Sequence, residues 1–200
     1  MKKTPKTKNI KEKVMKTAKK AQKEVGILVE ALIPNSAERL EDLLVMKVQM
    51  LYDTEHQLAD ALPVMAKHAH DKELKAGFNN HLKETKNHIV RLEKIFKLLG
   101  IKPERIKSEA IRGVVDDTEW LIKHVKKPNV LDTILIAAGQ YAEHHEISGY
   151  GSAREWASLL DFDEIAGILN ETLTEEKNAD RAFNDLALTK INSLALEVVM

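Results

Sequence analysis

A chain of 200 residues, 44% apolar and with no net charge at neutral pH, has material for one sizeable hydrophobic core and is, taken whole, neither a polybasic nucleic-acid binder nor an acidic tail protein. It contains no cysteine, which excludes disulfides, thiolate zinc sites and cysteine nucleophiles, and leaves oxygen and imidazole to hold any metal. The charge is unevenly placed: residues 1–24 carry ten Lys against Glu12 and Glu24, so this segment is strongly basic and the remainder is acidic.

Residues 1–33 read as a Lys-rich extension, largely disordered, with a thin apolar stripe at Ile10, Val14, Ala18, Ala21 and Val25. A solubilising tail is its plainest reading; a weak contact with nucleic acid or another acidic partner through charge is the alternative. The apolar run VGILVEALI within it is nine residues long and interrupted by Glu30, too short to span a membrane. With no cysteine and no clear cleavage site, a cytoplasmic protein is expected.

Residues 34–190 read as one helical bundle and 191–200 as a tail. Pro34-Asn35-Ser36 breaks the chain, and Ser36 is expected to cap a first long helix running to about residue 69, kinked at Pro63. Asp71 is expected to cap a second, ended by Gly100 with Pro103 beyond. Ser108 opens a shorter helix to about Val125, and Lys126-Lys127-Pro128-Asn129 stops it and caps a third long helix over roughly 130–159. Asp161 is expected to cap a fourth, to about residue 190. No stretch alternates convincingly with period two. The chain is therefore expected to be all-α: four helices of about thirty residues, each about 45 Å long. A long crossover containing the additional short helix joins the two pairs, which is the ferritin-like four-helix bundle topology.

Each long helix places carboxylates on its apolar stripe. Glu55 interrupts Leu44, Val48, Leu51, Leu58 and Leu62; Glu84 and His88 share a face with Gly77, His81 and Leu92. Glu143 and Glu146 lie with Ile136, Ile147 and Tyr150, and Glu176 and Asp180 with Ile165, Leu169, Thr172 and Phe183. Glu175 is the alternative inward residue to Glu176. His81 is expected at a partly exposed stripe edge. His144 and His145 cannot face inward together with Glu143 and Glu146, because successive helical positions rotate by about 100°; His144 is the better candidate to support a ligand. Tyr52, one turn before Glu55, is expected either to hydrogen-bond a ligand or to pack as a core phenol. Carboxylates converging in a core repel one another and resist ionisation, and a pair of divalent metals removes that conflict. The spacing repeats, Glu55 to Glu84 being 29 residues and Glu146 to Glu176 being 30, as expected of two halves flanking a dinuclear centre.

The stretches YDTEHQLADALPVMAKHA, HLKETKNHIVRLEKIFKLLG, QYAEHHEISGYGSAREWASLL and LNETLTEEKNADRAFNDLA resemble the four helical blocks of the bacterial YciF-type ferritin-like proteins. The resemblance spans about residues 36–190. It implies a ferritin-like bundle paired as a homodimer, a rubrerythrin-like di-metal site and a stress-associated role. It implies as metal ligands Glu55, Glu84, His88, Glu143, Glu146, Glu176 and Asp180. Glu84 and Glu176 are expected to bridge, and Glu55, Glu84 and Glu146 to carry any catalysis. Two departures from the common di-iron pattern stand out: Glu84 and His88 are four apart rather than three, and Asp180 occupies the place of a second histidine. An oxygen-rich shell suits iron first and manganese next. The expected function is that of a two-metal carboxylate protein reacting with oxygen or peroxide in stress protection, an oxidoreductase, ferroxidase-like or peroxidase-like. The alternative is a non-catalytic dimeric interaction protein with a structural metal or none, using its basic arm on an acidic partner.

Overall fold

The computed structural model describes residues 37–196; the Lys-rich extension, the Ser36 cap and residues 197–200 lie outside the described residues. Four long helices appear: α1 (Leu40–His68), α2 (Lys72–Leu99), α4 (Pro128–Leu159) and α5 (Asp163–Leu186), with the shorter α3 (Glu109–His124) in the crossover. A π-turn at Ala187–Ile191 and the short α6 (Asn192–Leu196) follow. Helix α1 packs on α2, α4 on α5, α1 on α4, and α2 on α5, which closes the bundle, while α3 lies across α4 and α1. No strand occurs among the described residues. The all-α expectation, the four long helices and the crossover helix are all present.

Local chemistry explains most boundaries. Asp71 caps α2 as expected, its carboxylate accepting from the amides of Glu73 and Leu74 at 2.9 and 3.0 Å. Gly100 ends α2 in the left-handed region at φ 74°, a conformation that a Cβ disfavours. Four boundaries differ from expectation. α1 begins at Leu40 with Arg39 at its N-cap, later than a cap at Ser36 implies. α4 opens at Pro128, about two residues before the expected start near 130: Pro occupies the first turn, where its missing N–H is no loss. Asp161 does not cap α5 but takes φ 58° in the turn before it, so the helix begins at Asp163. α5 ends at Leu186, and Ile191, at the start of the expected tail, is buried against the bundle. Pro63 lies inside α1 without ending it.

Two buried aspartates fasten the connections. Asp53 on α1 accepts from the Ser108 amide at 2.8 Å and the Gln57 amide nitrogen at 2.6 Å, and pairs with Arg105 at 3.0 Å, which ties the start of α3 down onto α1. Asp132 on α4 accepts from the amides of His70 and Asp71, both at 2.8 Å, and so holds the α1–α2 turn. Trp120 of α3 points outward, 57% exposed, as expected for the far face of the crossover.

The apolar core is in two parts. One contains Leu44 to Tyr52 of α1, Leu92 to Leu99 of α2, Tyr150 to Ala157 of α4 and Ile165 to Leu173 of α5. The other contains Leu58 to Ala69, Leu74 and Phe78, Leu131 to Ala142, and Phe183 with Ala187 and Ile191. On every long helix a polar residue sits between the two parts: Glu55, His81 to His88, Glu143 with Glu146, and Glu176. The bundle is thus divided at mid-height by an ionisable layer.

Replacing Asp132 with Ala leaves two turn amides without acceptors, and urea unfolding should show a loss of about 2 kcal/mol, the scale for a charged hydrogen-bonding partner removed from a buried site. Asp132→Asn, which keeps one acceptor, should lose less.

Candidate metal centre

The heptad-like spacing of α2 determines which of its side chains face the layer. Its buried residues step Leu74, Phe78, His81, Thr85, His88, Leu92 and Ile95, alternating by four and three. That stripe passes through Thr85, one position beyond Glu84. Glu84 is therefore turned about 100° away from it, its side chain 45% exposed, with one oxygen 3.5 Å from His81 Nδ1. The expectation that Glu84 would point inward and bridge is corrected by this register. His81, expected at the edge, is instead 3% exposed and reaches the layer. The sequence signal was present: His81 and His88 are seven apart, two full helical turns on one stripe.

Glu55, His81, His88, Glu143, Glu146 and Glu176 come together with almost no solvent exposure. They form two groups whose ligand atoms all lie within 4.8 Å of one another: His81, Glu143, Glu146 and Glu176 in one, Glu55, His88 and Glu176 in the other. Glu176 belongs to both. Its two oxygens face different partners, Oε1 lying 2.9 Å from His88 Nδ1 and Oε2 3.9 Å from His81 Nε2. His81 Nε2 is also 3.2 Å from Glu143 Oε1, and His88 Nδ1 is 3.5 Å from Glu55 Oε1. Of the expected ligands, Asp180 stands at the margin, its side chain 24% exposed and one oxygen 3.3 Å from His144 Nε2. His144 is 70% exposed and its ring touches this margin rather than the centre; His145 faces Ser108.

Three further residues hold the centre in place. Tyr150, one turn beyond Glu146, donates its hydroxyl to Glu55 Oε1. Tyr52, the phenol considered from sequence, turns away and donates to Glu93 at 3.0 Å, within the apolar half of the core. Glu175, adjacent to Glu176, accepts from His88 Nε2 at 2.7 Å and is itself gripped by both terminal nitrogens of Arg91. The two neighbouring glutamates therefore divide the work: Glu176 enters the layer, and Glu175 orients His88 from outside it. A carboxylate on one ring nitrogen directs the other toward a metal.

Electrostatics is strongly perturbed. Burial drives Glu143 and Glu146 well above the ordinary 4.5, and the carboxylate of Glu176 pushes both further. Burial also raises Glu55, against the lowering effect of His88. Burial disfavours the charged form of His88, but Glu176 and Glu55 overcome this and raise it to about 11. Tyr150 is pushed well above 10 by burial and by Glu55. Arg91 lowers Glu175.

These residues fit a pair of divalent cations. Ten buried oxygen and nitrogen atoms of the six residues make no well-directed hydrogen bond, although several crowd one another at ion-pair distance, where native cores leave only a few polar atoms unsatisfied per hundred residues. Four buried carboxylates carry the charge that two divalent ions would neutralise. The donor set, carboxylate oxygen with two imidazoles, is the one that iron and manganese accept.

An all-α bundle with a buried histidine–glutamate layer at mid-height is the class these features define. The chain belongs to the family described as Domain of unknown function (DUF892), whose pattern matches residues 39–196. It is 34% identical over 157 residues to Protein YciF of Escherichia coli strain K12, covering 78% of this chain and 95% of that protein. The crystal structure of the E. coli stress protein YciF superposes with a TM-score of 0.74 at 33% identity, covering 78% of this chain and 99% of that one. YcfI of Rhodopseudomonas palustris gives the same TM-score at 35% identity, over 76% of this chain and 97% of that one. The resemblance read from the four helical blocks is thereby established. Among the described residues, no helix is long and apolar enough to cross a membrane.

The raised groups set a pH dependence for the metal-free protein. Glu143 and Glu146 titrate above 4.5 when folded and near 4.5 when unfolded, so the folded state binds more protons in that window and stability falls as pH rises through it. His88 acts in the same direction from 6.5 to about 11. The melting temperature of metal-free protein should fall between pH 5 and pH 8, and Glu146→Gln should flatten that fall.

Proposed function

We propose that the mid-bundle layer binds two divalent metal ions, iron first and manganese next, and that the protein uses them in oxidation–reduction chemistry with oxygen or peroxide as a stress-protective protein. The observation that carries this reading is the sharing of Glu176 between two compact ligand groups. One ion would lie among Glu55, His88 and Glu176, and the other among His81, Glu143, Glu146 and Glu176. Asp180 is assigned to the margin of the second group. Glu84 is assigned to orienting His81 through its outward nitrogen.

Two redox-active ions held there would supply two electrons together, which suits reduction of oxygen or peroxide. The residues of the chain do the rest. Glu175 and Arg91 hold His88 with Nδ1 inward. The Tyr150 hydroxyl donates to Glu55 Oε1 and holds its own proton there, within reach of whatever binds beside it. Glu146 has neither oxygen engaged, so it is free to bind through one oxygen or two as charge changes. The apolar cores above and below keep bulk water away. In this reading the E. coli stress protein and this chain share their role, the chain acts in the cytoplasm as a homodimer, and residues 1–33 form an appended basic arm contacting an acidic partner weakly.

Titration of the metal-free protein with Mn(II) should give two ions per chain and release more than one proton at pH 7, since His88 must become neutral and Glu143 and Glu146 ionised. Glu176→Ala should abolish both sites. His81→Ala should remove one ion, Glu175→Ala should weaken binding about 10–100-fold, and His145→Ala should leave binding unchanged. Anaerobic loading with Fe(II) followed by oxygen or peroxide should then oxidise iron faster than buffer, with Glu146→Ala slower. Two ions bound with no oxidation above buffer would leave a metal-stabilised bundle with a structural role, in keeping with the description of YcfI as a structural protein. No uptake at all would overturn the metal reading.

A further inference from the structure

An apolar space also touches this layer. A cavity of about 110 Å³ lies between α1, the crossover helix α3 and α4. Leu62, Val115, Ile122 and Ala138 form its walls, and His81 and Glu143 form its inner end. Its outer end is marked by Asp60 and Glu119, both exposed. The wall groups capable of hydrogen bonding are already engaged. Gln57 donates to Asp53 and to the Ser108 carbonyl, and the Thr118 hydroxyl donates to the Val114 carbonyl. His81 and Glu143, each almost fully buried and facing one another at 3.2 Å, are the polar groups at its inner end, and the Asp60 and Glu119 carboxylates stand in solvent at its mouth.

We propose that this cavity is a binding site for a small neutral apolar molecule, a hydrocarbon or simple aromatic, seated with one edge against His81 and Glu143. The chemistry of the walls selects it. An ion or sugar would leave its polar groups unpaired along an aliphatic wall, which disfavours it strongly, whereas an apolar molecule is desolvated on all sides but one. The size is of the right order, since a dry protein cavity of about 150 Å³ with comparable walls takes benzene. The position matters because the occupant meets the two residues that end one of the ligand groups. A molecule held there would be the one exposed to whatever reaction the layer performs. The site itself stands on the cavity and is independent of whether metal binds.

Benzene titrated into the metal-free full-length protein, labelled at Ile, Leu and Val methyls, tests this directly. The methyls of Leu58, Leu62, Val114, Val115 and Ile122 should shift saturably, while those of Leu44, Leu92 and Ile165 in the other half of the core stay still. Ala138→Leu, which fills the cavity from α4, should weaken the binding at least tenfold. If that variant does not give a folded spectrum, Ala61→Leu fills the same space from α1 and should do the same. Shifts that do not saturate, that spread equally into the other core, or that persist unchanged in a folded cavity-filled variant would overturn the assignment.

Discussion

Four buried glutamates in the middle of an apolar bundle impose the constraint on which the rest of this structure depends. Glu55, Glu143, Glu146 and Glu176 lie within a few ångströms of one another, cut off from water, and burial with the neighbouring charges raises the cost of ionising Glu55, Glu143 and Glu146. Without metal, protons and one imidazolium hold the layer together: Glu143 and Glu146 resist ionisation, and His88 is held as a cation between Glu55 and Glu176. A buried charge cluster of this kind is a poor way to stabilise a core, since well-packed apolar residues of similar volume do as well or better. Its presence on all four helices is what points toward metal and away from a purely structural account.

The fold answers the constraint by fixing four backbones independently of the layer. Apolar packing on both sides of it keeps the helices in register without help from the ionisable residues. Asp132 holds one end of the α1–α2 pair and Asp53 fastens the crossover, so the helix that borders the apolar cavity is anchored to the helix that carries Glu55. Close packing beside the layer adds to this: the Phe183 ring lies against Gly77 and Gly139, where a Cβ would stand 3.1 Å and 3.5 Å from it, and meets the edge of His81. Side chains that must hold a fixed geometry are thus carried on helices, with outer partners such as Glu175 and Arg91 restricting their rotation.

Much of this was legible in the residues. Apolar periodicity and the caps at Asp71 and Gly100 gave the helices, and the carboxylates interrupting each stripe gave the layer. Where the reading failed, it failed by one helical position. Glu84 and Thr85 differ by about 100° around α2, and a carboxylate beside a histidine drew attention from the threonine that the stripe passes through. The same one-position ambiguity between Glu175 and Glu176 was left open and is resolved by Arg91, a partner 84 residues away in sequence from Glu175. Tyr52 is the phenol the sequence brings forward, yet Tyr150 lies equally one turn from a glutamate. Only the packing of α2 and α4 decides which phenol reaches Glu55. Helix starts at Pro128 and Asp163 moved by about two residues, because turn geometry at Asp161 and the pre-set φ of Pro128 outweigh side-chain capping there.

The most direct test of the central claim is anomalous diffraction from crystals of the protein grown with Mn(II). Two anomalous peaks per chain are predicted, one on either side of the Glu176 carboxylate, the first bounded by Glu55 and His88 and the second by His81, Glu143 and Glu146. A protein with no peak in the layer, or with a single ion that does not touch Glu176, would contradict the account.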